Sequence, residues 1–318
     1  MDQCNEAQPL QSLGKESLKH LRQLFFAMFL LPAALQAQGL EPAVESIDEA
    51  RAAKIVFLNP EYLAYHPVKV EAGKKLPLVI YLHGAGGLGS EIRRIAGQPR
   101  RLVQAIDRFG KGPCFVVAPQ CQRESDKSDE RGTWEPGDLD LFLEHLLERY
   151  DDIDPDRVYV TGNSMGGYGC WVWGGHSPQH FAAIAPIVGG IGRGGPKDVT
   201  PDVDKWAANL AKVPLWAFAG AQDTVVPAER SERMVAAIKR AGGTKARILV
   251  YPDEGHGAGR QVFGSGEFFE WMFSQERSAK SGNSASTPRI PMETFADGLA
   301  PEVTDLNAAD VSFQSEAG

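Results

Sequence analysis

From Leu78 onward, short apolar runs alternate along the chain with longer stretches of mixed polarity. Each run is nearly continuously apolar, which is typical of strands that helices cover on both faces. The six runs are Leu78–Leu82, Phe115–Ala118, Val158–Thr161, Ala183–Val188, Leu215–Ala219 and Ile248–Tyr251. Because strands that alternate with helices form mainly parallel sheets, the pattern predicts an α/β fold with helices on both faces of the sheet.

Two of the intervening stretches carry helix signals. Leu139–Tyr150 has leucines at helical spacing, and Ala228–Arg240 follows a proline, which is favoured in a first helical turn. Gly242 and Gly243 then predict the end of the second helix. Right-handed crossovers bring the carboxyl ends of parallel strands to one edge of a sheet, so we expect the functional site beyond that edge.

The segments that flank this pattern differ from it. Ile55–Leu58 and Tyr62–Tyr65 are short and mixed, which predicts antiparallel strands at an edge of the sheet. We therefore assign residues 40–276 to one α/β domain. Residues 277–318 are rich in Ser, Ala, Pro and acidic residues and have no apolar period, which predicts a disordered or loosely packed tail.

The N-terminus has the order of features found in secretory signal peptides. Basic residues between Lys15 and Arg22 precede an apolar run from Leu24 to Leu35, and small residues follow it. The run has roughly 12 residues and a spanning helix needs roughly 20, so we expect no stable membrane span. The pattern predicts a signal peptide over residues 1–37 and a secreted or periplasmic protein, with a buried N-terminal helix as the alternative.

The net charge limits the classes of binding partner, and the cysteine content bears on disulfide bonds. A net charge of -8 and a pI of about 5.5 argue against nucleic acid or an anionic membrane surface as the main partner. The four cysteines make no disulfide framework. Cys114 and Cys121 flank a predicted strand, and seven extended residues span roughly 20 Å, beyond the ~7 Å limit for a disulfide. We expect buried free thiols.

The strongest chemical signal is the segment Gly162-Asn163-Ser164-Met165-Gly166, which directly follows a predicted strand. It matches the G-x-S-x-G turn, in which a strand leads sharply into a helix and lifts a serine hydroxyl above the sheet. Small residues two before and two after the serine are needed because the two backbones nearly collide. Ser164 is therefore the candidate nucleophile, and a glycine-rich structural turn is the alternative.

A nucleophilic serine needs a base, and on this type of sheet the order along the chain is Ser, then Asp or Glu, then His. Three histidines follow Ser164, and two of them, His176 and His180, come too early in that order. His256 follows the last apolar run in a loop at the carboxyl end of a strand. We therefore expect His256 to be the base.

The base needs an acid that orients it. Asp223 lies just beyond the fifth apolar run and before a predicted helix, and its alternative role is a turn or helix-cap residue. Asp253 and Glu254 are rivals, but both share a loop with His256 and would hardly reach its far ring nitrogen. We favour Asp223.

Acyl transfer also needs donors for a developing oxyanion. The backbone N–H of Met165 is one candidate, and the N–H of Ala85, in the glycine-rich loop after the first apolar run, is the other. The segment Gly84–Gly89 also matches the dinucleotide fingerprint G-x-G-x-x-G. That motif expects an acid at the end of the next strand, and none is there, so we reject dinucleotide binding.

The remaining candidates are weaker. Trp134 lies in a predicted loop, where it is a candidate to wall the substrate site, with packing as the alternative. His176 and His180 are four residues apart, but Ser177 and Pro178 interrupt the helix and no third ligand is evident, so we expect no metal site.

These motifs carry a resemblance to known enzymes over roughly Leu76 to Phe273. The segments that carry it are His83 to Gly86, Asp154 to Gly167, Phe181 to Pro186, Gly220 to Pro227, and Gly255-His256. They resemble the α/β-hydrolase serine esterases, a group that includes phospholipase/carboxylesterases, feruloyl and acetyl-xylan esterases, polyhydroxybutyrate depolymerase-like proteins and "predicted peptidases". Dienelactone hydrolases are similar in fold, but their nucleophile is a cysteine, and the serine at position 164 favours the esterases.

The resemblance implies a carboxylic ester hydrolase with no cofactor or metal. The group's nucleophile, acid and base map onto Ser164, Asp223 and His256, and its oxyanion donors map onto the N–H groups of Ala85 and Met165. The expected substrates are small-molecule or polymer-linked esters, including acylated polysaccharides. A serine peptidase of the same fold is the alternative, and a non-catalytic binding protein on this scaffold is a third class.

Overall fold

The computed structural model describes residues 40–110, 112–122, 134–191 and 203–277. The predicted signal peptide and the predicted tail from residue 278 onward lie outside these residues, so both stay predictions. Within the described part of the chain, no helix is both long and apolar enough to cross a bilayer.

The described residues form one eight-stranded sheet. Its strands are β1 (Ala43–Ser46), β2 (Leu58–Tyr65), β3 (Leu76–Leu82), β4 (Phe115–Cys121), β5 (Ile153–Asn163), β6 (Ala183–Ile187), β7 (Leu215–Gly220) and β8 (Ala246–Tyr251). Their order across the sheet is β1-β2-β4-β3-β5-β6-β7-β8. The pairs β1–β2 and β2–β4 are antiparallel, and the other pairs are parallel. This confirms the predicted mainly parallel sheet.

Helices connect the parallel strands. In chain order they are α1 (Glu49–Ala52), α2 (Arg100–Phe109), α3 (Pro136–Arg149), α4 (Met165–His176), α5 (Val203–Leu210), α6 (Glu229–Arg240), α7 (Gly259–Phe263) and α8 (Gly266–Phe273). The two helices predicted from the sequence are confirmed as α3 and α6. The first begins earlier than predicted because Pro136 fits a first helical turn, where its missing N–H is not needed.

The sheet has an apolar core on each face. Alternate residues of β3 enter opposite cores: Leu78 and Ile80 lie in one, and Val79 and Tyr81 lie in the other. All seven residues of this strand are buried, as expected for a strand covered on both sides. The runs that form the inner strands are continuous for this reason, whereas β8, at the edge of the sheet, is half-buried or exposed beyond Ala246.

The antiparallel edge differs from the prediction. The strand expected over Tyr62–Tyr65 is part of β2, but the strand expected over Ile55–Leu58 is wrong except for Leu58, the first residue of β2. The register of β2 shifts between Leu58 and Tyr62. Pro60, which has no N–H for a ladder, lies in that irregular stretch. Strand β1 was not predicted, because its four residues are half-buried or exposed and carry no clear alternation.

The described cysteines are buried, as predicted. Cys114 and Cys121 stand at opposite ends of β4, and Cys170 lies inside α4. Burial raises the pKa of the Cys114 thiol to about 12, so this group stays protonated and unreactive.

The turn from β5 into α4 packs directly against β3. A Cβ atom on Gly166 would lie 1.9 Å from the carbonyl oxygen of Leu82, and one on Gly162 would lie 2.5 Å from the same oxygen. Both distances are far below van der Waals contact, and the atom that is met is backbone. The two glycines of the G-x-S-x-G turn are therefore required by this close approach, as the sequence predicted.

We expect Gly166→Ala to lower the free energy of unfolding by about 3 kcal/mol or more, because its methyl group overpacks against fixed backbone. Urea denaturation of the purified variant would measure this loss, and failure to fold would agree with it.

Gly137→Ala is the matched control. Gly137 is an exposed helical glycine in α3 with no atom within 4 Å of an added Cβ, so alanine there should raise stability by up to about 1 kcal/mol. Equal stability of the two variants would contradict the packing argument.

Candidate active site

Ser164 stands at the turn between β5 and α4. Its φ of 58° and ψ of -118° are uncommon for a residue with a side chain. Two hydrogen bonds hold this backbone: the Ser164 N–H donates to the Ile187 carbonyl at 2.9 Å, and the Tyr168 N–H donates to the Ser164 carbonyl at 3.0 Å. The serine side chain therefore stands at the carboxyl edge of the sheet and at the N-terminus of a helix.

His256 and Asp223 follow the carboxyl ends of β8 and β7 and meet Ser164 there. The distance from His256 Nε2 to Ser164 Oγ is 2.8 Å, and the distance from His256 Nδ1 to Asp223 Oδ2 is 2.8 Å. The Asp223 side chain is fully buried, and its other oxygen accepts the N–H groups of Val225 and Val226, each at 2.9 Å. Since the carboxylate accepts the Nδ1 proton, Nε2 is left to accept from the serine hydroxyl.

The loops that carry Asp223 and His256 are bonded to each other. The Gln222 N–H donates to the Glu254 carbonyl at 2.9 Å. A Cβ on Gly220 would lie 2.3 Å from that same carbonyl oxygen, so the two loops touch through backbone. Asp223 and His256 thus lie on two loops that are joined through their backbones.

The alternative residues lie elsewhere. Asp253 is exposed, and a side-chain oxygen of Glu254 accepts from Gln261 Nε2 at 2.8 Å. His176 and His180 lie at and beyond the C-terminal end of α4, away from the serine at its beginning. In the described ranges, no group of three or more His, Cys, Asp or Glu residues could hold a metal ion.

The loop after β3 passes beside Ser164. A Cβ built on Gly84 would lie 3.6 Å from the Cβ of Ser164. Ala85 is the first residue of a 3-10 turn, Ala85–Gly87, and Met165 is the first residue of α4. The first N–H groups of a helix have no acceptor within that helix. The N–H groups of Ala85 and Met165 therefore stand at the beginnings of two helical turns near Ser164, where neither N–H has an acceptor within its own turn.

The sequence predicted no role for two side chains near this loop. His83 is fully buried, and its Nε2 accepts the Cys121 N–H at 2.9 Å. Gln98 accepts the Gly84 N–H through Oε1, also at 2.9 Å. His83 begins one of the segments that carry the resemblance, but no role was predicted for its side chain, and Gln98 lies in no predicted motif.

The structure corrects the expectation for Trp134. Its side chain is only 1% exposed, and its ring lies 4.8 Å from the His83 ring in an edge-to-face contact. A Cβ on Gly169 would lie 2.7 Å from the same tryptophan ring. Trp134 thus packs between α4 and His83 in the core, where it supports the loop and presents no face to a substrate.

Comparison with known proteins agrees with this geometry. Residues 135–263 match the Dienelactone hydrolase family, and this segment contains Ser164, Asp223 and His256. The "Putative carboxymethylenebutenolidase" of Escherichia coli (strain K12) is 29% identical over 260 residues, which cover 70% of this chain and 87% of that protein. The serine in place of a cysteine had favoured other esterases, but the match extends across that position.

Solved structures share the fold. A thermostable esterase is 31% identical with a TM-score of 0.61, and the match covers 74% of this chain and 64% of that one, just under two thirds of its length. The acylaminoacyl peptidase of Pyrococcus horikoshii is 17% identical with a TM-score of 0.52 and covers 82% of this chain and 45% of that one, a likeness of fold alone. The chain therefore has the α/β-hydrolase fold, and its residues 135–263 are similar to the Dienelactone hydrolase family.

Proposed function

We propose that this chain is a serine hydrolase that cleaves carboxylic esters through an acyl-enzyme. The observation that carries the proposal is the continuous hydrogen-bonded line from Ser164 Oγ to His256 Nε2 and from His256 Nδ1 to Asp223, with both distances at 2.8 Å. In this scheme Ser164 is the nucleophile, His256 is the general base and acid, and Asp223 orients the ring.

In the first half of the reaction, His256 Nε2 takes the hydroxyl proton as Ser164 Oγ attacks the ester carbonyl carbon. The carbonyl electron pair moves onto its oxygen, and the N–H groups of Ala85 and Met165 donate to that oxyanion. The intermediate then collapses, the bond to the alcohol oxygen breaks, and His256 protonates the departing alcohol. The acyl group remains bound to Ser164.

In the second half, His256 takes a proton from water as the water oxygen attacks the acyl carbon. The same oxyanion forms, the bond to Oγ breaks, and the proton returns to Ser164 as the carboxylic acid leaves. Asp223 accepts the hydrogen bond from Nδ1 in each half and so stabilises the imidazolium. Its burial and its two backbone hydrogen bonds support this role, because they keep one oxygen aligned with Nδ1.

The proposed substrates are carboxylic esters, either small or linked to a polymer such as an acylated polysaccharide. An ester substrate is supported by the similarity to a structure named as a thermostable esterase and by the resemblance of the sequence to esterases. A peptide substrate is the alternative, because the same three side chains serve amide hydrolysis and a structural neighbour is an acylaminoacyl peptidase.

We expect Ser164→Ala to reduce turnover of a short nitrophenyl ester by about a millionfold, because loss of the nucleophile ends the acyl-enzyme route. Steady-state kinetics would measure the rate, and a thermal melt would verify that the variant is folded. Fluorophosphonate labelling of the wild type, followed by peptide mapping, should place the adduct on Ser164. A folded variant that keeps a tenth of wild-type activity would show that Ser164 is not the nucleophile.

Asp223→Asn should reduce turnover roughly ten-thousandfold, since the amide favours the wrong tautomer of His256. Asp253→Asn is the matched control, because Asp253 is an exposed aspartate on the His256 loop and should change the rate less than about threefold. The opposite order of the two effects, measured as kcat on one ester, would show that the acid is misassigned.

The comparison of ester with amide separates the two functions. We expect the specificity constant for a short acyl ester to exceed that for an aminoacyl amide after each is divided by its uncatalysed rate. The reason is that an amide needs full protonation of its leaving nitrogen by His256. Feruloyl esters and acetylated xylan would extend the panel to polymer-linked groups. A corrected preference for the amide would make the chain a peptidase.

A further inference from the structure

Arginine is concentrated in one stretch of this acidic chain. Residues 92–109 contain five arginines and one acidic residue, whereas the whole chain has a net charge of -8. This stretch folds into the 3-10 turn Ile92–Ile95 and helix α2, and all five arginines are exposed. The buried side of α2 packs in the same apolar core as α7, the helix that follows the His256 loop. A positively charged patch therefore lies on this side of the sheet.

An open groove with a volume of about 260 Å³ lies between α2 and α7. Its α2 wall consists of Arg101, Gln104, Ala105, Arg108 and Phe109, and its α7 wall consists of Arg260, Phe263 and Gly264. Seven residues make about two helical turns, so the backbones of Arg101 and Arg108 lie about 10 Å apart along the helix axis. The groove is therefore lined by positive charges that are separated along its length.

The two arginines of the α2 wall form no ion pair with any residue in the described ranges. Nearby arginines differ: Arg100 pairs with Glu41 at 3.2 Å, and Arg260 lies 3.9 Å from a carboxylate oxygen of Glu254. The guanidinium carbon of Arg108 lies 4.9 Å from the centre of the Phe109 ring, a contact that supplies no oxygen acceptor for its N–H groups. Because a guanidinium is always charged and carries five donors, Arg101 and Arg108 offer a fork to a carboxylate.

The α7 wall begins next to the proposed catalytic base. Arg260 is four residues after His256, and its N–H donates to the Gly257 carbonyl at 3.1 Å. A Cβ on Gly257 would lie 3.1 Å from Arg260 Nη2, so this guanidinium turns back over the His256 loop. The groove thus runs from α2 to the edge of the loop that carries the base.

Separated positive charges in a groove fit an extended chain with separated negative charges. The net negative charge of the protein repels an anionic bilayer or a nucleic acid, whose dense charge is felt over about 10 Å at moderate salt. A polysaccharide with uronic acid residues has one carboxylate on each charged sugar and hydroxyls between them. The arginine forks match the carboxylates, and the amide of Gln104 can bond hydroxyls. An acidic polysaccharide is therefore the favoured occupant.

We propose that the groove between α2 and α7 binds the uronate-bearing chain of an acidic polysaccharide, so that the esters cleaved at Ser164 are acyl groups carried by that polymer. The inference rests on the proposed function, in which Ser164 cleaves a carboxylic ester. Arg101 and Arg108 hold the polymer and take no part in the chemistry. They lower KM for a polymeric substrate and leave the hydrolysis of a small ester unchanged.

Two double variants with the same change of net charge separate the groove from the rest of the surface. Arg101→Gln/Arg108→Gln removes both charges of the α2 wall and keeps polar side chains there. The matched control is Arg233→Gln/Arg240→Gln, because these exposed arginines are also seven residues apart, on α6. All four positions are exposed, so both variants should melt close to the wild-type temperature.

The binding experiment titrates polygalacturonate, which carries no ester, into the wild type and each double variant and follows the heat released. The wild type should bind the polymer, and the groove variant should lose about tenfold in affinity, roughly threefold for each guanidinium–carboxylate contact. The control should stay within about twofold of wild type. Added salt should weaken binding to the wild type more than binding to the groove variant, because it screens these contacts.

Hydrolysis of three substrates gives the second measurement. For acetylated polygalacturonate, kcat/KM of the groove variant should fall by the same factor as its affinity, about tenfold, mainly through KM. For acetylated xylan without uronic acid groups, and for a short nitrophenyl ester, the groove variant should stay within about twofold of wild type.

The inference is overturned if the wild type does not bind polygalacturonate, or if the groove variant and the control lose the same affinity. It is also overturned if the groove binds anionic phospholipid vesicles or single-stranded DNA more tightly than polygalacturonate. None of these results depends on hydrolysis, because none of the titrated ligands is cleaved at Ser164 in the measurement. Failure of the proposed function would appear separately, as ester hydrolysis that survives Ser164→Ala.

Discussion

The site depends on one backbone contact, the approach of the turn between Gly162 and Gly166 to the carbonyl of Leu82. Leu82 and Gly162 are register partners on the neighbouring strands β3 and β5, so the contact occurs where both strands end. With a side chain at either glycine, the strand and the helix would have to separate. The same contact brings the loop that begins at His83 beside Ser164, so one contact places both the proposed nucleophile and the loop of the proposed oxyanion donor.

The backbone conformation of Ser164 costs free energy, and hydrogen bonds from the neighbouring elements offset that cost. A positive φ at a residue with a side chain costs on the order of 1–3 kcal/mol and persists only where neighbours over-determine it. Here the Ser164 N–H is bonded to β6 and its carbonyl to α4, while buried strands lie on either side. The loops that carry Asp223 and His256 are likewise joined by a backbone hydrogen bond, from the Gln222 N–H to the Glu254 carbonyl. The geometry of Ser164, Asp223 and His256 therefore depends on backbone contacts more than on side-chain contacts.

Much of this arrangement was predictable because its causes are local. Each of the six apolar runs became a strand of the sheet. The inner strands are buried on both faces, and β8 at the edge is partly exposed. The glycine spacing around Ser164 follows from the turn itself, and the order of Asp223 and His256 follows from strands whose carboxyl ends share an edge. The edge strand β1 escaped prediction because four half-exposed residues carry no period.

What the sequence determined by itself was the pattern of buried strands and the identity of the residues that follow them. What only the tertiary structure decided was the support of the site. His83, Gln98 and Trp134 are separated in the chain, yet His83 and Gln98 both bond the backbone of Gly84, and Trp134 packs against the His83 ring. Trp134 has polar neighbours in sequence, which predict a surface loop, and its burial comes from the space that Gly169 leaves on α4. Periodicity and turn chemistry report on neighbours along the chain, whereas contacts across the fold arise only when separate elements meet.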